Sequence, residues 1–272
     1  MTNFKLSTFT TINELSAASG IVHLNNLLYL ISDSSTFLYQ YNILKKKLSK
    51  IPLKLNGEEN ILKKDKPDFE SITLFNNKLY IHGSGSTKNR ETRITYNLEN
   101  QNVKQKDVSK LYNKLQQLAS ITANDLNIEG TIITENSIYF FQRGTNSDST
   151  NGIFIYDKIS KTATFKIIAL PKVQNIEVTF TDAILVQKTI YFLAAVENTS
   201  STYLDGEILG SFIGKINLST LELIIIQKIS DTHKFEGITL FKKENNDLQF
   251  LICEDNDIAK AGSTLYLLEG FQ

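Results

Sequence analysis

The sequence contains no tryptophan, one cysteine and no surplus of either charge, and each shortage removes a class of explanation. Without tryptophan there is no indole to stack on a nucleotide base. With Cys253 alone there is no intrachain disulfide. Its flanks, Leu251-Ile252, read as a buried strand, so a core thiol fits better than a nucleophile. Lysine plus arginine equal aspartate plus glutamate at 29 each, which argues against a broad nucleic-acid footprint. No stretch approaches the roughly 20 apolar residues of a membrane span, so no membrane contact is expected. Met1 to Leu6 lacks a basic region followed by an apolar run, and the expectation is a cytoplasmic protein or a mature form after signal removal.

What is present is a repeat. Lys234-Phe235-Glu236-Gly237-Ile238 has counterparts at Ala18-Ser19-Gly20-Ile21, Phe69-Glu70-Ser71-Ile72, Ile128-Glu129-Gly130-Thr131 and Phe180-Thr181-Asp182-Ala183. Taking Ser19, Glu70, Glu129, Thr181 and Glu236 as equivalent gives intervals of 51, 59, 52 and 55 residues. In the first four copies a tyrosine follows ten residues on, at Tyr29, Tyr80, Tyr139 and Tyr191.

Each unit reads as four strands. In the first these are Gly20 to Leu24, Leu27 to Ile31, Thr36 to Tyr41 and Leu48 to Leu53. The Asn25-Asn26 pair suits the positive φ of a tight turn, and Asn76-Asn77 repeats it. The fifth unit stops after three strands, while residues 4–12 form a β-prone segment that precedes the first unit. The expected fold is all-β, a single five-bladed β-propeller whose N-terminal strand completes the last blade. The blades fall at about 13–56, 57–122, 123–172, 173–230 and 231–272. Two insertions interrupt the period. Val108, Leu111, Leu115 and Leu118 share one face at helical spacing after a possible N-cap at Asp107, and Asn198 to Gly210 reads as a polar surface loop carrying Asp205 and Glu207.

In a propeller the first strand of each blade lines the central channel, so the five equivalent positions converge on its mouth. The candidate metal ligands are Ser19, Glu70, Glu129, Thr181 with adjacent Asp182, and Glu236. Carboxylates so gathered repel one another unless a positive charge stands among them, and an all-oxygen set suits calcium before magnesium. His23, His82 and His233 share no repeat position, which excludes a zinc cluster. A structural ion or ordered water in the channel fits the ring as well as a catalytic ion does.

The ends of the second strands rim the same mouth and differ between blades: Asp33, Ser84, Arg143, Ala195 and Glu254. Arg143, with Lys88 and Arg90 of the Gly83-to-Arg90 loop, offers positive charge to a phosphate. The bland alternatives are a solvated loop at Lys88 and Arg90, and an Arg143 that neutralises Glu129. The Glu254-Asp255-Asn256-Asp257 run lacks the glycine and final glutamate of an EF-hand.

The ring residues and the Lys234-Phe235-Glu236-Gly237-Ile238 phrase resemble the five-bladed propeller of the calcium-activated nucleotidases, the apyrases. So do Tyr80-Ile81-His82-Gly83 and Phe140-Phe141-Gln142-Arg143. The same phrases are similar to bacterial propeller domains related to phytase-like and esterase-like propellers. The resemblance implies a central calcium held by Ser19, Glu70, Glu129, Thr181 and Glu236. Thr181 departs from the serine of that pattern.

Two functions follow as expectations. In the first, a calcium-dependent hydrolase acts on a small phosphorylated ligand: Glu70 or Glu129 orients the attacking water, Arg143 stabilises developing charge, and Asp33, Ser84, Lys88, Arg90 and Glu254 contact substrate. In the second, a non-catalytic monomeric propeller uses its rim for a ligand or partner and holds the ion structurally.

Overall fold

The computed structural model describes residues 4–144, 150–198, 206–244, 247–255 and 262–271. Five four-stranded antiparallel sheets follow one another along the chain. Strand β1 (Lys5–Ile12) precedes blade one, made of β2 (Ala18–Leu24), β3 (Leu27–Ser32), β4 (Phe37–Asn42) and β5 (Lys47–Pro52). Blade two holds β6 (Phe69–Phe75), β7 (Lys78–Gly83), β8 (Thr92–Asn97) and β9 (Val103–Asp107), and is followed by helix α1 (Ser109–Ala119). Blade three holds β10 (Ile128–Ile133), β11 (Ser137–Gln142), β12 (Gly152–Asp157) and β13 (Ala163–Ile167). A small hairpin, β14 (Lys172–Val173) with β15 (Ile176–Glu177), leads to blade four: β16 (Thr179–Val186), β17 (Thr189–Asn198), β18 (Glu207–Asn217) and β19 (Leu223–Ser230). Blade five is β20 (Phe235–Glu244), β21 (Asp247–Glu254) and β22 (Ser263–Glu269), closed by β1 in the order β1-β22-β21-β20.

The structure is the expected five-bladed propeller. The chain's beginning pairs its end from Lys5↔Glu269 to Ile12↔Ser263, which covers an edge that would otherwise stand bare. The first strands form the inner ring, each touching the next: β2 with β6, β6 with β10, β10 with β16, β16 with β20, and β20 with β2. Asn25, Asn76 and Asn77 carry the left-handed backbone that their hairpins demand. Apolar faces of successive blades pack into separate clusters, for example Phe141, Phe180 and Phe192 between blades three and four. Tyr29 and Tyr191 are buried in two of these clusters.

The helical insertion forms, with two differences from expectation. Its N-cap is Val108, and Asp107 accepts a hydrogen bond from the Ser109 amide at 2.8 Å from one residue further out. Its buried face is Val108, Tyr112 and Leu115, with the Tyr112 hydroxyl donating to the Gly83 carbonyl at 2.8 Å, while Leu118 is exposed. Part of the blade-four insertion is not a loop: β17 and β18 run on as a paired hairpin to Asn198↔Glu207. Asp205 lies outside the described residues, as do Asn256 and Asp257 of the acidic run. No helix among the described residues is long and apolar enough to cross a membrane.

Candidate functional site

The same defect recurs at the start of every inner strand. Partners step from Ala18↔Ser32 to Gly20↔Ile31, from Phe69↔Gly83 to Ser71↔His82, and from Ile128↔Gln142 to Gly130↔Phe141. In blades four and five they step from Phe180↔Ala194 to Asp182↔Leu193 and from Phe235↔Glu254 to Gly237↔Cys253. The residue skipped each time is Ser19, Glu70, Glu129, Thr181 or Glu236. A β-bulge leaves one residue unpaired and turns its side chain away from the regular alternation, so five bulges bring five side chains to one end of the channel.

This register separates Thr181 from Asp182. Thr181 holds the ring position, and Asp182 occupies the next one, filled elsewhere by Gly20, Ser71, Gly130 and Gly237. Small residues suit that place because the inner strands crowd there: a Cβ on Gly130 would stand 2.8 Å from the Ala183 nitrogen. The Asp182 carboxylate instead accepts from the Ala183 amide at 2.7 Å and the Ile238 amide of β20 at 2.8 Å. Burial pushes that carboxyl well above its usual range, and the charges of Glu129 and Glu236 add to the effect, against the two amides. Asp182 is a brace between inner strands. Ser19 and Thr181 act similarly, donating to the carbonyls of Phe69 at 2.5 Å and Phe235 at 2.7 Å.

Two of the three ring glutamates carry a cation of their own. Lys234 Nζ stands 2.9 Å from Glu236 and 3.8 Å from Asp255. Arg143 reaches Glu129 at 3.3 Å and Glu197 at 2.9 Å, and donates through Nε to Thr179 at 3.2 Å. Burial alone would lower both cations, but the adjoining carboxylates outweigh it and raise them above their usual range. Glu70 makes no ion pair among the described residues. Burial, then the charges of Asp68, Glu129, Glu236 and Asp33, hold its carboxyl well above the usual carboxylate range. Glu129 is pushed up to about 7 by burial, with Glu236 adding to the effect and Arg143 opposing it.

Beside Glu70 lies a second group of acids. Asp33, Asp68 and Glu70 offer carboxylate oxygens within 4.8 Å of one another. Lys66 pairs with Asp33 and stands 2.8 Å from Asp68, and Arg90 stands 2.8 Å from Asp68 on its other oxygen. Burial would raise Asp68, but Lys66 and Arg90 outweigh it and hold its carboxyl below the usual range. The second oxygen of Asp33 is buried without a hydrogen-bond partner. Among the described residues of the mouth, Lys66, Arg90, Arg143 and Lys234 face Asp33, Asp68, Glu70, Glu129, Glu197, Glu236 and Asp255, so carboxylates outnumber cations.

The rim residues fare unevenly. Asp33, Ser84 and Arg143 do sit at the mouth, with the Ser84 hydroxyl donating to Asp68 at 2.5 Å. Ala195 contributes its carbonyl, which accepts from Thr179 at 3.3 Å. Glu254 does not face the mouth. It pairs with Phe235, so its side chain takes the opposite face of the strand, where it meets His233 at 2.6 Å and the Tyr266 hydroxyl at 2.9 Å. Asp255, whose amide donates to the Lys234 carbonyl at 3.1 Å, holds the fifth rim position. Arg90 is buried and engaged, donating also to Ser86 at 2.8 Å and to the Lys63 carbonyl at 3.0 Å. Lys88 is exposed, where its charge acts on Glu91 and Asp107, and it makes no ion pair with the mouth among the described residues.

Sequence reasoning missed Lys66, Asp68, Glu197, Asp255 and the pairing role of Lys234. Lys234 and Asp68 had a signal, since each stands two residues before a ring glutamate. Glu197 had none, because it meets Arg143 only through the extended hairpin of blade four.

Oxygen-only donors with an unpaired glutamate at their centre fit a hard cation such as calcium. Glu70, Asp33 and Asp68 are the residues that would hold it. Serine and threonine of the ring retain lone pairs, although their protons are committed to backbone carbonyls.

The overall fold is similar to that of glutaminyl cyclase from Myxococcus xanthus, at 9% identity and a TM-score of 0.55 over 98% of this chain and 97% of that one. The Malassezia sympodialis allergen Mala s 1 matches at 9% identity and 0.53, covering 93% and 92%. An exo-1,5-α-L-arabinanase from a bovine ruminal metagenomic library matches at 12% identity and 0.50, covering 93% and 94%. Such likenesses show the fold alone. No protein with a curated description matches the sequence. The model of a family of unknown function, DUF6929, matches residues 14–269, and the chain belongs to that family.

Proposed function

We propose that this propeller binds a divalent cation, calcium before magnesium, at the mouth of its channel. The observation that supports this is the state of Glu70. Arg143 and Lys234 answer Glu129 and Glu236, whereas Glu70 has no ion pair among the described residues and has Asp33 and Asp68 oxygens within 4.8 Å. Burial chiefly raises the Glu70 carboxyl, with the neighbouring carboxylates adding to it, and one divalent ion beside it favours the charged form against both.

Such an ion supplies Lewis acidity toward a phosphate oxygen, and the matching activity is hydrolysis of a phosphate ester or anhydride. Glu129, pushed up to about 7, is suited to orient and deprotonate a water near neutral pH. The resemblance to the calcium-activated nucleotidases points the same way. A second reading, ligand binding without chemistry, is favoured by one observation. The arginines expected to read a phosphate are already engaged, Arg143 by Glu129 and Glu197 and Arg90 by Asp68.

Thermal unfolding in chelator and across a calcium titration, for wild type and Glu70→Gln, tests the proposal. Saturation to about 100 times the dissociation constant adds about 2.7 kcal/mol to the wild type. The variant loses that shift. A wild-type midpoint indifferent to calcium, with no metal in the purified protein, overturns the reading. Calcium-dependent turnover of a phosphoester, lost in Glu70→Gln while the fold persists, selects the hydrolase over the binding module.

A further inference from the structure

Blade two breaks the repeat on the face it turns toward blade three. The residue paired with the one after each bulge is Ile31, His82, Phe141, Leu193 or Cys253. On the third strand, Phe141 faces Ile153, Leu193 faces Ile213 and Cys253 faces Leu265, all fully buried. Ile31 and Leu38 of blade one are fully buried as well. Blade two replaces this apolar pair by His82↔Arg93. His82 packs edge-on against Phe140 of blade three, its Nδ1 buried without a partner. Burial, with the charge of Arg93 beside it, takes its pKa down to about 3, so it adds no charge at neutral pH.

The rest of that face is polar and positive. Tyr80↔Thr95↔Lys104 forms the next row and Lys78↔Asn97 the one after, while Arg93 pairs with Lys106. Its inner part is sealed against blade three by Ser71 and Thr73, which meet Thr131. Its outer part opens into a cleft of about 450 Å³ lined by Lys78, Tyr80, Arg93, Thr95, Lys104 and Lys106, with asparagines at the strand-linking turn. Among the described residues no carboxylate lines it. Asp107 belongs to the alternate face, as the pairing Thr92↔Asp107 shows; Glu91, in line with Arg93, stands one residue before β8 and outside the lining, and Glu99 accepts from Asn77 in the turn. None of the four cations makes an ion pair among the described residues. The guanidinium of Arg93 lies over the Tyr80 ring, 5.5 Å from its centroid, with Nε buried and unsatisfied.

We propose that this cleft on the outer strands of blade two is a second binding site, for a compact anion carrying two or more phosphate groups. Four converging cations in a protein of zero formal net charge demand several negative charges close together. The stacked guanidinium supplies the forked donor that phosphate oxygens accept, and its ring contact holds it in place before binding. The volume suits a small molecule. The site shares no residue with the channel mouth and is set on the outer strands of the blade.

Inorganic tripolyphosphate, titrated calorimetrically in chelator so that no calcium intervenes, is the probe. Wild type and Glu70→Gln should bind it alike, with amide shifts in nuclear magnetic resonance centred on Thr95, Asn97 and Lys104. The exposed double variant Lys104→Gln/Lys106→Gln should weaken binding tenfold or more with an unchanged melting midpoint, and Arg93→Gln should weaken it further. The inference is overturned by no binding at millimolar probe, by equal affinity in the double variant, or by shifts centred on Arg143 and Lys234 instead.

Discussion

Replacing Lys234 by methionine removes a positive charge from the channel mouth while keeping the length of its stem. The side chain is buried, and its ammonium stands 2.9 Å from Glu236 and 3.8 Å from Asp255, two carboxylates that are themselves buried. Removing one partner of a buried pair costs about 3–5 kcal/mol, because the remaining charge is left without compensation in a poorly solvating site. For a chain of this size about 2 °C accompanies each kcal/mol, so the midpoint should fall by about 6–10 °C. With no tryptophan to report, far-ultraviolet circular dichroism under heat and urea is the suitable assay. The decisive comparison is Lys234→Met with Lys234→Met/Glu236→Gln. If desolvated charge is the cause, the second change restores part of the loss, since glutamine needs no counter-ion. A single-variant cost below about 1 kcal/mol, the upper end for a solvated surface pair, refutes the argument. So does a double variant no more stable than the single.

Two further outcomes follow from the same geometry. Glu129 has its folded pKa pushed up to about 7 from the ordinary 4.5, so between these values the native state holds a proton that the unfolded state has released. The Glu129 contribution to stability in chelator should therefore fall as pH rises through this window, by up to about 3 kcal/mol. His82, lowered to about 3, contributes in the opposite sense below its ordinary 6.5, and the difference between wild type and Glu129→Gln isolates the Glu129 part. Asp68 shifts in the opposite direction and acts only at more acidic pH. A stability difference between wild type and Glu129→Gln that stays flat or rises from about pH 4.5 to 7 contradicts this. Gly130→Ala places a methyl 2.8 Å from the Ala183 nitrogen and 3.3 Å from the Asp182 Cα, both backbone atoms of the adjoining inner strand. Calorimetric unfolding should show a loss of about 1–3 kcal/mol from overpacking, and a loss below about 0.5 would mean that the inner strands part freely.

The blades were legible because a propeller repeats one local problem five times. Any residue type needed at the channel mouth recurs at a near-constant interval, and Glu70, Glu129 and Glu236 stand out for that reason. Closure by the N-terminal strand was legible from arithmetic, three strands at one end and one to spare at the other. What the repeat could not convey was register. The bulge decides that Thr181 rather than Asp182 holds the ring position, and that Asp255 rather than Glu254 rims the mouth, yet a one-residue shift leaves no mark in composition. The exposed positive loop was misleading for another reason. Arg90 looks available in a Gly-Ser segment, but its partner Asp68 lies 22 residues away on the far side of a hairpin.

The positions of the cations explain why the proposed ion belongs beside Glu70 and not on the axis. A charge fixed to the chain cannot exchange with solvent, so Glu129 and Glu236 answer their repulsion permanently through Arg143 and Lys234. Blade two places its cations differently. Lys66 and Arg90 converge on Asp68, two residues short of the ring, and Glu70 feels Lys66 without an ion pair among the described residues. Each group of charges is one carboxylate in excess, but in blade two the excess falls on a ring glutamate that no cation contacts among the described residues. A mobile cation is drawn to the minimum of the potential, not to the centre of symmetry. Five equivalent backbone positions thus yield one inequivalent site, because the side chains that neutralise them come from non-repeating parts of the chain.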